Sequence, residues 1–377
     1  MRKVFRFAFD NSLFLIGGTL MALLWANLGY SSYAPVSHAL HFLVNDVLMA
    51  LFFALAAKEV WEAMLPGGVL SSPRRAAMPL MATAGGVIAP AGLYALGALL
   101  LDPDLLRGWA IPCATDIAFS YLVTRALFGG SHPAIPFLLL LAIADDGIGL
   151  FILAVFYPQG EVRLGLFSLM VVLAVGLGIL FHKVFKFHSF WPYLLGPGAL
   201  SWFGFYLGGL HPALGLVPII PTLPHAHTDL GIFAREELGR HDTLSELEHW
   251  WKKPVELILG LFGFVNAGVP FSSVGIGTWL VLLGLLIGKP LGIVGFTLLG
   301  SLARLQFPEG MNFKDLFVMS CAASIGFTVS LFIATVAFPG GEALNAVKMG
   351  AVLSFGGAIL TVIAAKVLQI KRLPDRR

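Results

Sequence analysis

Charged residues are scarce in this sequence of 377 residues. Asp, Glu, Lys and Arg together make up 12% of the chain, whereas about 25% is usual in soluble domains. Hydrophobic residues make up 58%, and the mean hydropathy is +0.86. This balance excludes an ordinary soluble domain and predicts an all-α polytopic membrane protein. The net charge of +3 is small and gives no reason to expect a nucleic-acid partner.

Cysteine is also rare. The two cysteines, Cys113 and Cys321, both fall in apolar segments, which argues against a disulfide framework and against a metal site built on thiolates. No cofactor is expected. The basic start of the chain leads into an apolar stretch that runs to about Tyr30 and is followed by many others. We therefore interpret this stretch as an uncleaved first span rather than a signal peptide.

The single long polar stretch, residues 224–253, divides the chain into two membrane regions. Residues 1–223 are predicted to contain spans one to eight, and residues 254–377 spans nine to twelve, with 224–253 as a cytoplasmic linker. His225 and His227 could be imagined as metal ligands, but no further ligand follows at a suitable spacing, so a solvated loop is the simpler interpretation. The predicted spans are 12–29, 43–65, 76–100, 110–128, 134–157, 164–182, 190–208, the short 211–223, 254–270, 278–300, 315–338 and 345–369.

The distribution of basic residues sets the predicted orientation. Most of the 24 Lys and Arg residues fall in loops on one side of the predicted spans. Because cytoplasmic loops carry an excess of Lys and Arg, we predict a multi-pass protein of the bacterial inner membrane with both termini in the cytoplasm. The lipid bilayer is its predicted surrounding, and the sequence leaves its oligomeric state open, a homodimer included.

A weak internal repeat relates the two regions. The segment from Cys113 to Ser120 aligns with the segment from Cys321 to Thr328, and the intervening number of predicted spans gives the two units opposite topology. Spans three to five would thus correspond to spans ten to twelve. Both segments contain residues that disfavour a continuous helix, such as Pro112 and Gly326, so we predict broken helices within 110–128 and 315–338.

Two adjacent carboxylates, Asp145 and Asp146, interrupt the apolar run 134–157 near its middle. A carboxylate at the centre of a bilayer costs roughly 3 kcal/mol or more, and packing requires neither of them. Side chains of neighbouring helical residues project about 100° apart, so the pair can offer two titratable groups to one cavity. This arrangement favours ion and proton exchange, and the alternative is that neighbouring groups merely neutralise both.

Other polar residues in the spans have two interpretations each. Lys289 lies deep in its span and needs a partner; a pair with Asp145 could break on protonation or be static. Asp116 could cap helix ends at the break or bind the ion directly. Glu59 could belong to an acidic funnel for cations or simply lie near the membrane surface. Glu248 and His249 precede a span, where they could sense cytoplasmic pH or be solvated at the interface.

Several ordered motifs together resemble one family closely, the NhaA-type sodium/proton antiporters. They are Asn45-Asp46, Ala114 to Phe119, Asp145-Asp146, Asn266 to Val269, Gly288-Lys289-Pro290 and Gly326-Phe327-Thr328. The resemblance covers nearly the whole chain and implies about 12 transmembrane helices, inverted-topology repeats and two crossed broken helices. A departure from the family pattern follows Glu59, where Trp61-Glu62-Ala63 replaces a basic-basic-acidic run.

The resemblance also implies roles for individual residues. It implies that Asp146 is the principal carboxylate for the transported Na⁺ and the proton, with Asp145 as its partner. It also implies that Lys289, Thr115 and Asp116 compensate charges at the helix breaks. Glu59, Glu248 and His249 match positions through which the family responds to pH.

We therefore expect a secondary antiporter that exports Na⁺ or Li⁺ in exchange for protons, electrogenic and regulated by pH. An enzyme is not expected, because an intramembrane aspartyl hydrolase needs carboxylates that face each other, whereas adjacent ones project apart. A sodium-coupled symporter of the same broken-helix fold is the main alternative, which a larger cavity beside the breaks would favour. An uncoupled channel is a third, and it could not accumulate an ion against a gradient.

Overall fold

The computed structural model describes residues 13–68, 70–225, 242–307, 310–370 and 372–373, with only the backbone of Pro73, Arg74 and Arg75. The regular secondary structure in these ranges is entirely helical, which confirms the all-α prediction. The longer α-helices are α1 (Leu13–His41), α2 (Met49–Met64), α3 (Pro73–Leu101), α4 (Ile117–Phe128), α5 (Ala134–Phe156), α6 (Leu164–Leu180), α7 (Ala199–Gly208), α8 (Thr243–Asn266), α9 (Ile276–Leu282), α10 (Lys289–Leu302), α11 (Phe313–Ala323), α12 (Phe327–Ala337), α13 (Gly341–Leu353) and α14 (Gly356–Val367).

Fewer helices than predicted are long and apolar enough to cross a membrane. In the described ranges there are six, and the bent pair α11–α12 could form a seventh, so the count of twelve is not confirmed. The predicted spans 190–208 and 211–223 consist of short α-helical, π-helical and 3₁₀ pieces, because prolines interrupt both. The six stretches are Leu13–Met64, Ala76–Leu101, Ala134–Phe156, Leu164–Phe185, Ile276–Leu302 and Gly341–Val367.

Three of the six stretches contain π-helical segments, one of which, Phe181–Phe185, follows directly on α6. The predicted spans 12–29 and 43–65 form one helical run, which bends at Gly29 (φ −167°, ψ 73°) and passes through the π-helix Phe42–Leu48 between α1 and α2. The π-helix Leu283–Gly288 joins α9 to α10 in the same way. A π-helical segment changes the face that the following residues present, and such segments occur frequently at functional sites.

The C-terminal part of the predicted linker 224–253 is helical. Helix α8 begins at Thr243, because the side chain of Asp242 accepts a hydrogen bond from the backbone N–H of Ser245 at 2.7 Å and caps the helix. Glu248 and His249 therefore lie on a helix rather than in a loop. Residues 226–241, with His227, lie outside the described residues.

Close helix packing brings the two membrane regions together. Helix α1 packs along α8, and α3 packs along α10. At the second crossing Gly85 and Gly292 face each other, and a Cβ atom on either would overlap the backbone carbonyl oxygen of the other. The backbones approach this closely only because both residues lack a side chain.

The glycine contact yields a matched test of packing. We expect Gly292→Ala to lower the free energy of unfolding by about 1–3 kcal/mol, because the new methyl group must push α3 and α10 apart. Gly295→Ala, on the same helix with no atom within 4 Å of the added Cβ, should be neutral or slightly stabilising. Thermal unfolding of the two variants in one detergent measures this difference. Equal stabilities would show that the close approach is not required.

Candidate functional site

Two helix interruptions lie side by side in the middle of the protein. In the first, the 3₁₀ turn Ile111–Cys113 gives way to extended backbone at Ala114 and Asp116, after which α4 begins. In the second, α11 ends at Ala323 and α12 begins at Phe327, with a bend of 46° between them. These interruptions fall within the predicted segments 110–128 and 315–338.

Each interruption satisfies backbone groups of the other. The N–H of Asp116 donates to the carbonyl oxygen of Ile325 at 2.7 Å, and the hydroxyl of Thr115 donates to the carbonyl oxygen of Ala323 at 3.2 Å. Buried backbone groups without partners are costly, so the two interruptions stabilise each other. Two further hydroxyl donors act in the same way, Ser120 to the carbonyl oxygen of Ala322 (2.8 Å) and Ser330 to that of Ile111 (2.6 Å).

The carboxylate of Asp116 caps two helices at once. It accepts hydrogen bonds from the N–H of Phe119 at 3.4 Å, in the first turn of α4, and from the N–H of Thr328 at 3.2 Å, in the first turn of α12. The hydroxyl of Thr328 also donates to it. A helix N-terminus carries partial positive charge, so a carboxylate between two of them is well placed. Its geometry matches the capping interpretation.

Lys289 lies at the other side of the first interruption, where a backbone carbonyl group carries partial negative charge. Its ammonium group donates to the carbonyl oxygen of Cys113, at the C-terminal end of the 3₁₀ turn. The same group lies 2.9 Å from the Oδ2 atom of Asp145. Lys289 is 0% exposed and Asp145 3% exposed, so this ion pair is fully buried. The structure thus brings these two predicted partners together.

Asp146 has a different environment from Asp145. It is half-buried and lines a funnel with a cavity volume of about 220 Å³, and no described residue forms an ion pair with it. A smaller cavity of about 10 Å³ lies between the two carboxylates and α2. Polar residues that line the funnel with Asp146 are Lys58, Glu59, Thr115, Asp116, Glu248, Lys252, Glu256 and Thr328.

A charge cluster lies at the funnel near the start of α8. Lys58 forms ion pairs with Glu62 at 2.6 Å and with Glu248. Its side chain is buried, and these two carboxylates hold its ammonium group. Glu59 projects into the funnel beside it. His249 is exposed and is not part of the funnel lining.

Sequence analysis missed three residues of the funnel. Lys252 and Glu256 follow Glu248 at intervals of four residues, which places all three on one face of α8. The four-residue spacing in the sequence indicates a shared helix face, but only if residues 243–253 are recognised as helical. Thr328 was noted as part of a motif, and its pairing with Asp116 across the two interruptions has no signal in a single sequence.

Carboxylates buried beside interrupted helices, with one of them open to a funnel, are typical of secondary transporters for small ions. Comparison with known proteins agrees with this class. The family model described as Na⁺/H⁺ antiporter 1 matches residues 2–368, and the chain belongs to this family.

Named relatives match the chain over nearly their full lengths. The chain is 48% identical to the Na(+)/H(+) antiporter NhaA of Jannaschia sp. (strain CCS1), over 99% of both proteins. It is 44% identical to the protein of the same name from Geobacter metallireducens, over 99% of this chain and 100% of the relative. The similarity therefore extends over both membrane regions, and the chain is a multi-pass membrane protein.

The buried pair can be tested by a double-mutant cycle. Lys289→Met and Asp145→Asn should each destabilise the protein in detergent, because removing one partner leaves the other charge buried, at a cost of about 3–5 kcal/mol. The double variant should recover part of the loss, with an interaction term of about 1 kcal/mol or more.

The control cycle combines Lys289→Met with Asp104→Asn, in an exposed turn remote from the pair. The losses of stability caused by these two substitutions should be additive. Additive losses for Lys289 and Asp145 as well would show that the two residues are not energetically coupled.

Proposed function

We propose that this chain exchanges Na⁺ for protons across the membrane, with Asp145 and Asp146 as the site for which the cation and protons compete. The observation that carries the proposal is the difference between the two carboxylates: Asp146 faces the funnel, whereas Asp145 is held by Lys289. The family membership and the names of the relatives support the same exchange.

The geometry supports a simple sequence of events. A cation in the funnel meets Asp146 first, because this carboxylate lines the cavity. To use Asp145 as a second ligand, the cation must displace the Lys289 ammonium group, which lies 2.9 Å away. Protonation of Asp145 would also release Lys289. Cation and proton thus act on one ion pair, and alternating access around it would couple their movements.

The cavity that both carboxylates line has the size of an ion site. It measures about 10 Å³, and a site needs about 10–15 Å³ to hold a single water molecule. A sodium-coupled symporter would use a larger chamber beside the helix interruptions, and the funnel of about 220 Å³ lies there. We therefore base the choice of an antiporter on the family membership and on the names of the relatives.

We further propose that the two interruptions form crossed broken helices within inverted repeats. Thr115 and Ala323 occupy equivalent positions in the two repeat segments, and they contact each other, as residues on a local two-fold axis do. The reciprocal approach of Gly85 and Gly292 supports the same axis. Within this arrangement α3 to α5 correspond to α9 to α14. Because Lys and Arg are concentrated on one side of the predicted spans, we also propose that both termini are cytoplasmic in a bacterial inner membrane.

The finer properties are also proposals. Li⁺ should replace Na⁺, because the cavity that both carboxylates line, about 10 Å³, has space only for a small ion. An unequal exchange of protons for cations, which makes transport electrogenic, would follow from the two titratable groups at one site. Glu59 and Glu248 would regulate access through the charge cluster at the funnel, and His249 would act on it from outside.

We expect Asp146→Asn to abolish Na⁺-driven proton movement in proteoliposomes, because an amide neither exchanges a proton nor offers full negative charge to a dehydrated cation. Expression should persist, since no described residue is ion-paired with Asp146. Asp104→Asn makes the same chemical change in an exposed turn and should transport normally. Near-normal exchange by Asp146→Asn would refute the proposed site.

Neutral replacements at the start of α8 should show whether these residues regulate exchange or bind the transported ion. Glu248→Gln should shift the pH dependence of exchange, because it removes the carboxylate that binds Lys58, while the maximal rate stays within a few-fold of the original. His249→Gln should shift the dependence less, since this side chain lies outside the funnel. Rates measured at matched Na⁺ over a series of pH values check this. Loss of exchange at every pH in Glu248→Gln would make Glu248 part of the ion site.

A further inference from the structure

A buried pair of amides joins α8 to the π-helical segment that precedes α2. Asn45 lies in the π-helix Phe42–Leu48, Asn266 is the last residue of α8, and each is 1% exposed. The Nδ2 atom of Asn45 donates to the Oδ1 atom of Asn266 at 3.0 Å, and the Nδ2 atom of Asn266 donates to the Oδ1 atom of Asn45 at 2.8 Å. We call this reciprocal pair the amide clasp.

The direction of every hydrogen bond in the amide clasp is determined by the backbone. The second N–H of Asn266 donates to the carbonyl oxygen of Phe262 at 3.0 Å, and a carbonyl oxygen can only accept. The amide orientation of Asn266 is therefore fixed, and reciprocal pairing then fixes that of Asn45. The remaining N–H of Asn45 points at the Nε2 atom of His41, 3.0 Å away. His41 must therefore accept at Nε2.

Protonation of His41 is incompatible with this network. An imidazolium carries a hydrogen on both nitrogens, so Nε2 would become a donor facing the donor of Asn45. If Asn45 turned its oxygen toward His41, its amino group would face the amino group of Asn266. If Asn266 also turned, its oxygen would face the carbonyl oxygen of Phe262. Each alternative leaves two like groups in contact at a buried site, so a protonated His41 either gives up its contact with Asn45 or opens the amide clasp.

The position of the amide clasp relates it to transport. Helix α8 carries Glu248 at the funnel and Asn266 at its other end, about 27 Å further along at 1.5 Å per residue. The amide clasp therefore lies toward the membrane face opposite the funnel. The side chain of His41 is exposed at the protein surface, while the two amides are buried.

We propose that the amide clasp keeps the face opposite the funnel closed and that protonation of His41 releases it. Acidification of that face would then speed the opening on which exchange depends. This inference rests on the proposed antiport function and adds to it a proton-responsive group remote from Asp145 and Asp146.

Other groups with charge or titratable protons lie near His41. His38 is one turn earlier on α1, Lys348 approaches from α13, and His211 approaches from the 3₁₀ region after α7. Asp46 follows Asn45 in the chain. The Nδ1 atom of His211 accepts from the N–H of Ala213 at 3.3 Å, so that ring is already engaged elsewhere. None of these groups is hydrogen-bonded to the amides of the clasp in the described structure, which makes His38 a suitable control.

The protonation state of His41 can be observed directly. In ¹⁵N-histidine NMR of the full-length protein in lipid, the His41 signals are identified by their loss in His41→Gln. At pH 8 we expect Nε2 without a proton and Nδ1 with one, because Nε2 accepts from Asn45. A neutral His41 that carries its proton on Nε2 at pH 8 would overturn the proposal without any measurement of transport.

Measurements of transport then test whether protonation of His41 speeds exchange. Vesicles of known orientation are used to lower the pH from 8 to 6 only on the face that bears His41, and Na⁺-driven proton movement is measured. The wild-type rate should rise several-fold more than that of His41→Gln, whose side-chain oxygen still accepts from Asn45 but does not titrate. His38→Gln should follow the wild type, and His41→Asn provides a second acceptor that does not titrate.

The outcomes separate the two proposals. Equal pH responses in the wild type and His41→Gln, with Na⁺-driven proton movement present in both, would overturn the role of His41 and leave the antiport function standing. If the wild type itself showed no Na⁺-driven proton movement, the proposed function would fail, and the inference that rests on it would fail too.

Discussion

Backbone groups exposed by two helix interruptions dictate most of the architecture around the site. An unsatisfied N–H or carbonyl group in an apolar layer costs several kcal/mol, so an interruption at membrane depth exists only where partners are supplied. Here the partners are the other interruption, the carboxylate of Asp116 at the helix N-termini, and the ammonium group of Lys289 at a helical C-terminal end. Neither interruption would be stable without the other.

This constraint also explains why the two adjacent carboxylates behave differently. Lys289 is required at the carbonyl oxygen of Cys113, and from that position it reaches Asp145 but not Asp146. One carboxylate is therefore committed to the framework, and its neighbour, projecting about 100° away on α5, faces the funnel. A cation that binds both would disturb the group that stabilises the interruption, which links binding to conformation.

The sequence was most informative at residues that cost free energy in an apolar helix. Asp145, Asp146 and Lys289 stood out because charge is expensive in an apolar span, and Pro112 and Gly326 marked the interruptions because they disfavour a continuous helix. The sequence was less informative about secondary structure in the polar stretch, where charged residues are common and carry no such cost. Residues 243–253 were assigned to the linker because of their charges, although their four-residue spacing belongs to a helix. The number of membrane-crossing helices was also uncertain, because hydropathy does not distinguish a full crossing from short turns such as those at 211–223.

The π-helix Leu283–Gly288 has a consequence for the accuracy with which Lys289 is placed. A π-helical turn holds one residue more than an α-helical turn, so the segment before Lys289 takes up a surplus residue without rotating the helix that follows. If the same residues were wound as a regular α-helix, everything after them would be rotated by about 100°, and Lys289 would no longer face Asp145. The length of the chain there, and not only its composition, thus sets which way the lysine points. A related protein with one residue fewer at this position would hold its lysine in the same place with a regular α-helix.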